Sequence, residues 1–318
     1  MGRALFRSIW PISGLIEHEL QASQVHVTLR IVCVAPFLNE ERYLGSFLES
    51  IERQTRMPDE IVLVDDGSSD ASWNIAAEFA QRHSNVRALR RPPRPPERDR
   101  LASAHELQAF QWAVSQAADG WDVAVKLDAD LILNADLFEA LERAFLDQPD
   151  LGIAGAYLSV IDGTTGQRRE PTPKGHVRGA TKFYRRECYE TIAPLPAILG
   201  WDTIDEVTAR SHGWRTGSID CPGGDIIHLR PTGAANGLLR AHFRWGTCAY
   251  AIGQHPLWIT ASAVRRLRSR PRVFASLAYI AGCVAGFVRR CPRARADVRM
   301  FGRREDLRRL RSLGLHQH

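Results

Sequence analysis

The chain has 318 residues, 44% hydrophobic and 25% charged, with 24 glycines and 17 prolines. That is an ordinary globular profile, large enough for one big core or two smaller ones, and it excludes repeat and low-complexity architectures. The net charge of +6 hides an asymmetry: from Val264 onward fifteen arginines face three acids, a net +12, while the remainder carries 27 basic and 33 acidic residues, a net −6. A nearly neutral body with a basic appendage points to an anionic surface as partner. Only three basic residues are lysines (126, 174 and 182). Six scattered cysteines without a CxxC pair fit reduced thiols better than a disulfide framework.

Residues 1–29 carry no firm pattern; "ALFRSIWPISGLI" reads either as an interfacial anchor or as a cover for the core. From Arg30 the rhythm is regular. "RIVCVAPF" reads as a buried strand and "NEERYLGSFLESIERQT" as an amphipathic helix with Leu44, Phe47, Leu48 and Ile51 on one face. "EIVLVDD" is a second strand, "GSSD" a turn capping the helix "ASWNIAAEFAQRH", and "NVRAL" a third strand. The run "RRPPRPPERDR" (90–100) excludes helix and central strand. A helix follows in "LASAHELQAFQWAVSQA", then the strand "VAVKL" and the acidic "DAD". Strands alternating with helices imply an α/β fold with a mostly parallel sheet, whose ligands gather at the carboxyl ends of the strands. Asp65, Asp66, Asp128 and Asp130 all fall at such ends.

Two carboxylates one residue apart repel each other and resist burial unless water or a cation reaches them. Hard divalent cations such as Mg2+ or Mn2+ prefer such oxygen ligands. A strand end with helix-capping acids is the alternative, since "NADLFEALERAF" follows as a helix. The motif has company. "VAPFLNEERYLGSFLESIERQ…EIVLVDDGSSDAS", "KLDADLIL", "ATKFYRRECYETIAPLPAILGWDTIDEVTARSHGWRT" and "IIHLRPTG" occur in order over roughly residues 30–235. The whole resembles the family 2 glycosyltransferases, inverting enzymes of the GT-A fold.

The resemblance implies transfer of a sugar from a nucleotide-diphosphate donor to an envelope glycan or lipid-linked acceptor. It implies that Pro36, Asn39, Glu40, Asp65, Asp66 and Asp128 border the nucleotide. Asp128 and Asp130 would hold Mg2+ or Mn2+, with His228 completing the site as the resemblance implies, a lone histidine after a strand being otherwise structural; Arg230 is placed to reach a phosphate. In "GWDTIDEVTAR", Asp202 matches the base that takes the acceptor proton, with Asp205 as the alternative. If the segment is a helix, Asp202, Asp205, Glu206 and Arg210 lie close to one face, and Glu206 is an acceptor candidate; an ion pair to Arg210 on a surface helix is the other reading. Trp201 stands where the family commonly has an acid. "HFRWG" keeps Arg244 and Trp245 of the processive members' motif, either as an acceptor site or as helix packing, but Ala241 replaces its glutamine, so processivity is unsupported. The Gly- and Asn-containing stretch usual before the metal motif is absent, and Arg98 or Arg100 is left as a possible phosphate contact. A non-catalytic sugar-nucleotide-binding or scaffold protein stays open; a sugar nucleotidyltransferase is disfavoured because no glycine follows the first strand until Gly45. Residues 159–178 read as a loop with little pattern.

The division expected is an N-terminal segment (1–29), a GT-A domain (30–240) and a C-terminal basic and apolar helical region (241–318). Within the last, "VFASLAYIAGCVAGFV" (273–288) has no charge and arginines on both sides. It is short for a span, which needs about 20 residues. A helix lying in the headgroup region fits better, so residues 265–318 are expected to contact a membrane surface. That predicts a cytoplasmic protein, peripheral or monotopic at the inner face of the cell membrane. No nucleic-acid motif accompanies the basic tail.

Overall fold

The computed structural model describes residues 28–92, 103–162, 166–173, 175–230, 237–268 and 271–315. The readings placed on residues 1–27, on most of the Pro/Arg run and on Arg98 and Arg100 lie outside the described residues.

β1 (Ile31–Phe37), β2 (Glu60–Asp65), β3 (Val86–Arg90) and β4 (Val123–Leu127) run parallel in the order β4-β1-β2-β3. The apolar runs of β1, β2 and β4 follow from burial on both faces, whereas β3, at the sheet edge, is only partly buried. In β1, Ile31, Cys33, Ala35 and Phe37 enter one core layer and Val32 and Val34 the other. The first layer is closed by α1 (Leu44–Glu52), α2 (Ser72–Arg82) and α4 (Leu137–Asp147), through Phe47, Phe79, Phe138 and Phe145. The second is closed by α3 (His105–Val114), α5 (Arg186–Ile192) and α6 (Trp201–Ser211), through Phe110, Tyr189 and Trp201. Beyond β4 the sheet continues through β9 (Thr181–Arg185), β6 (Leu151–Ala156) and β10 (Arg215–Ile219), with β9 antiparallel to its neighbours.

A second sheet joins β5 (Leu131–Ile132), β11 (Ile226–His228), β7 (Leu158–Asp162) and β8 (Gly166–Arg169). This corrects the reading of 159–178 as a patternless loop: β7 and β8 form an antiparallel pair. Gly166–Arg169 is exposed throughout and Ile161 is 60% exposed, so no inside–outside alternation is written there. β11 pairs with β5 so that His228 faces Leu131, which brings His228 beside Asp130.

Four helices complete the chain: α7 (Leu238–Ile252), α8 (Pro256–Arg266), α9 (Arg272–Val288) and α10 (Ala296–Leu315). α7 runs across the expected division at 240/241. α10 is tied back to α6 by Glu305, which accepts from Arg210 at 2.8 and 2.9 Å. Among the described residues no helix is long and apolar enough to cross a membrane. The six cysteines are unpaired.

Candidate active site

Because β1, β2 and β4 are parallel, their carboxyl ends share one edge, and a cavity of about 960 Å3 opens there. Pro36, Glu40, Asp66, Asp128, Asp130 and Asp202 line it, faced by His228, Arg230, Arg244 and Trp245. Residues from six separate stretches of chain thus meet at one mouth.

The β2 end separates the adjacent aspartates. Asp66 opens on the cavity, accepting from Arg91 Nη1 at 2.8 Å, with His105 Nδ1 3.7 Å away. Asp65 points the other way. It is buried, accepts from the backbone N–H of Gly67 (3.2 Å) and Ser68 (2.7 Å), and pairs with Arg90 Nε at 3.0 Å. Its role is to close the turn. Asn39, at φ +54°, likewise serves the loop, its Oδ1 accepting from Ser69 N at 2.9 Å. Glu40 reaches the cavity and contacts Arg230; burial holds its carboxyl above the usual range against the pull of that guanidinium.

The central wall carries the DAD motif. Asp128 is one-third exposed and held by Lys126 Nζ, which also donates to Gly179 O at 2.8 Å. Asp130 accepts from Arg230 Nε at 2.8 Å and lies 3.7 Å from His228 Nε2. Burial favours its neutral form, yet His228 and Arg230 keep its carboxyl below the ordinary range. On the other ring nitrogen of His228, Glu170 Oε1 stands at 3.8 Å. Against the cost of burial, Asp130 and Glu170 raise that imidazole to about 9. Two carboxylates and an imidazole backed by a third carboxylate match in type what a hard divalent cation takes. Among the described residues no three such groups converge on one point; Asp128 is paired with Lys126 and Asp130 with Arg230.

Asp202 sits in the first turn of α6, directly over Gly179: a Cβ there would lie 3.3 Å from the Asp202 Cβ and 3.4 Å from its Oδ2. Asp205 and Glu206 do not reach the cavity with it. Both are buried under α6 against Lys182, whose Nζ lies 2.7 and 2.8 Å from the Asp205 oxygens and 3.2 Å from Glu206. Tyr184 Oη donates to Asp205 at 2.6 Å. Burial lifts Asp205 to about 6 despite Lys182. A carboxylate enclosed by a lysine and a tyrosine cannot meet an acceptor hydroxyl, so the structure removes Asp205 as the alternative base. Glu206 accepts from Val177 N at 2.7 Å and faces His176 Nδ1 at 3.1 Å, and only His176 looks into the cavity. The single helix face expected for this segment is therefore divided: Asp202 at the mouth, Asp205 and Glu206 beneath it, and Arg210 bridging Glu206 (3.8 Å, the expected ion pair, though to a buried carboxylate) and Glu305 of α10.

Several of these residues escaped the sequence reading. Lys126 and Lys182 are partners across β4 and β9, and each ammonium lies 5.5 Å from the Trp201 ring. Trp201 Nε1 donates to Glu106 Oε1 of α3 at 3.0 Å. One signal was present: in a chain that otherwise uses arginine, two lysines stand inside core strands.

The model of the glycosyl transferase family 2 matches residues 32–194. EpsH of Bacillus subtilis (strain 168), named as a glycosyltransferase, is 29% identical over 169 residues, 48% of this chain and 46% of its own length. The glycosyltransferase GlyG of Streptococcus pneumoniae serotype 4 is 41% identical over 129 residues, 41% of this chain and 39% of its own. The chain thus spans less than half the length of the curated relatives it matches. The mannosyltransferase PcManGT from Pyrobaculum calidifontis, solved with GDP-Man and Mn2+, shares the fold at a TM-score of 0.51 and 19% identity, over 82% of this chain and 73% of that one. With the family model covering half of the chain and the GT-A sheet in place, the protein belongs to glycosyl transferase family 2.

Proposed function

We propose that the protein transfers a sugar from a nucleotide-diphosphate donor to a glycan or lipid-linked acceptor, with inversion at the anomeric carbon. The observation that carries this reading is the meeting of Asp66, Asp128, Asp130 and Asp202 in one cavity. The donor's base lies at the β2 end, where the Asp66 carboxylate accepts its imino proton. Arg230 and Lys126 supply positive charge where the diphosphate departs. Asp128, Asp130 and His228 would hold Mg2+ or Mn2+, whose charge stabilises the leaving diphosphate when bound. Asp202 takes the proton of the acceptor hydroxyl while that oxygen attacks the anomeric carbon on the face opposite the diphosphate. Arg244 and Trp245, on α7, form the acceptor wall, the indole offering a surface on which a sugar stacks.

The test is slow release of nucleoside diphosphate from a panel of sugar nucleotides, with and without Mn2+. Metal-dependent release from one donor, abolished in Asp128→Ala and lowered about 10²–10⁴-fold in Asp202→Ala, is the expected result. Tight binding of one donor with no turnover under any condition, acceptor extracts included, would instead establish the non-catalytic reading.

A further inference from the structure

The C-terminal helices carry a surface that the transfer reaction does not use. α9 is apolar on both sides, and its two sides differ in size. Ala275, Ser276, Tyr279, Gly282 and Gly286 are buried. A Cβ on Gly246 of α7 would overlap the Tyr279 carbonyl, and one on Gly282 the Phe243 carbonyl, so small residues let the two helices touch backbone to backbone. The opposite side is a stripe of large residues: Phe274, Leu277, Ile280, Val284 and Phe287 are 43–70% exposed and recur every three or four positions. Every exposed residue between Arg272 and Arg289 is apolar. A helix facing water does the reverse, turning its large apolar residues inward. On α8 and just past its end, Leu257, Val264 and Leu267 are exposed as well, with Arg265 and Arg268 beside them.

We propose that α9 and the outer edge of α8 lie in the headgroup layer of an anionic phospholipid bilayer. The stripe would enter the acyl boundary, and Arg265, Arg268, Arg272, Arg289 and Arg290 would meet lipid phosphates. Charge selects this occupant. In a two-fold pair of chains the same patch meets itself and sets these arginines against one another, whereas phosphates neutralise them. With 17 residues α9 is about 25 Å long, and arginines at both ends lay it along the surface. α7 then stands between bilayer and cavity: Ala241, Arg244, Trp245 and Cys248 line the cavity while Phe243 and Gly246 meet α9. The acceptor wall is thus one helix diameter, roughly 10 Å, from the surface-bound helix. That assigns the acceptor to the membrane, a step resting on the transfer reading; the docking itself does not.

The experiment is flotation of the full chain with vesicles of phosphatidylcholine alone or mixed with phosphatidylglycerol, at low and high salt. Flotation only with the anionic vesicles, weakened by salt, is expected. It should fall at least tenfold in the Phe274→Ser/Leu277→Ser/Phe287→Ser variant, whose unfolding temperature and nucleoside diphosphate release stay those of the wild type. Failure of the wild type to float, or equal flotation of the variant, would overturn the proposal. So would a vesicle-free dimer that the triple substitution splits, which would assign the stripe to a second copy. Flotation without nucleoside diphosphate release would leave docking standing and remove the transfer reading.

Discussion

In β2 and β4 the large aliphatic side chains are inside: Leu63, Val64, Val125 and Leu127 have no exposed surface. In α9 the arrangement is largely turned out: alanine, serine, glycine and one large residue, Tyr279, are buried, while phenylalanine, leucine and valine face away. The two regions draw on the same residue types, so an apolar run alone does not say what lies on its far side. Size does. Where small residues repeat at helical spacing, two backbones approach, and the large residues opposite them are left for another phase or another surface.

That contrast can be broken or sharpened by substitution. The largest effect is expected at Lys182→Met, which strips the counter-ion from Asp205 and Glu206 inside the α/β body. Removing one partner of a buried ion pair costs about 3–5 kcal/mol, read as a shift of the urea midpoint. Next, Leu63→Ala should cost about 2–5 kcal/mol, while Leu277→Ala on α9 changes stability in vesicle-free buffer by less than about 0.5 kcal/mol. Equal costs at the two leucines would mean that the α9 stripe is packed within the chain. Gly282→Ala should cost about 1–3 kcal/mol, because its Cβ meets the Phe243 carbonyl; a neutral result would show that the helix pair separates easily.

The smallest effect is electrostatic. Burial disfavours charged His176, yet Glu206 at 3.1 Å raises its pKa above the ordinary 6.5. A group raised on folding contributes its full stability below the unfolded value and loses it as pH climbs through the folded one. His176→Gln should therefore lose about 1 kcal/mol at pH 6, and the gap from wild type should close as pH rises above neutrality. A gap that widens with pH would reverse the sign of this coupling.

The sequence was most legible where both faces of a strand are buried. β1, β2 and β4 announce themselves as apolar runs, and their order places Asp66 and Asp128 at one mouth. It was least legible where the deciding partner is remote. Asp65 and Asp66 read alike in the sequence; Arg90 across the β2–β3 pair claims the first and Arg91 the second, and only the second opens on the cavity. Lys126 and Lys182 become neighbours only through the antiparallel register of β4 and β9. Asp205 looked like a spare base because helical spacing describes a face, not what is packed against it. The hairpin of β7 and β8 was hidden because its exposed residues carry no alternation.

The close approach of α7 and α9 has a mechanical consequence. Two helices whose backbones touch through Gly246 and Gly282 have no side chain to compress at that crossing, and the Tyr250 ring fills the space over Gly286 beyond it. A tilt or roll of one is handed to the other without slack, and α7 carries Arg244 and Trp245 on its opposite side. The bilayer-facing helix and the cavity wall are therefore joined as one rigid piece at that crossing, so a substitution that pushes α9 outward at Gly282 should be felt at Arg244 and Trp245 as well.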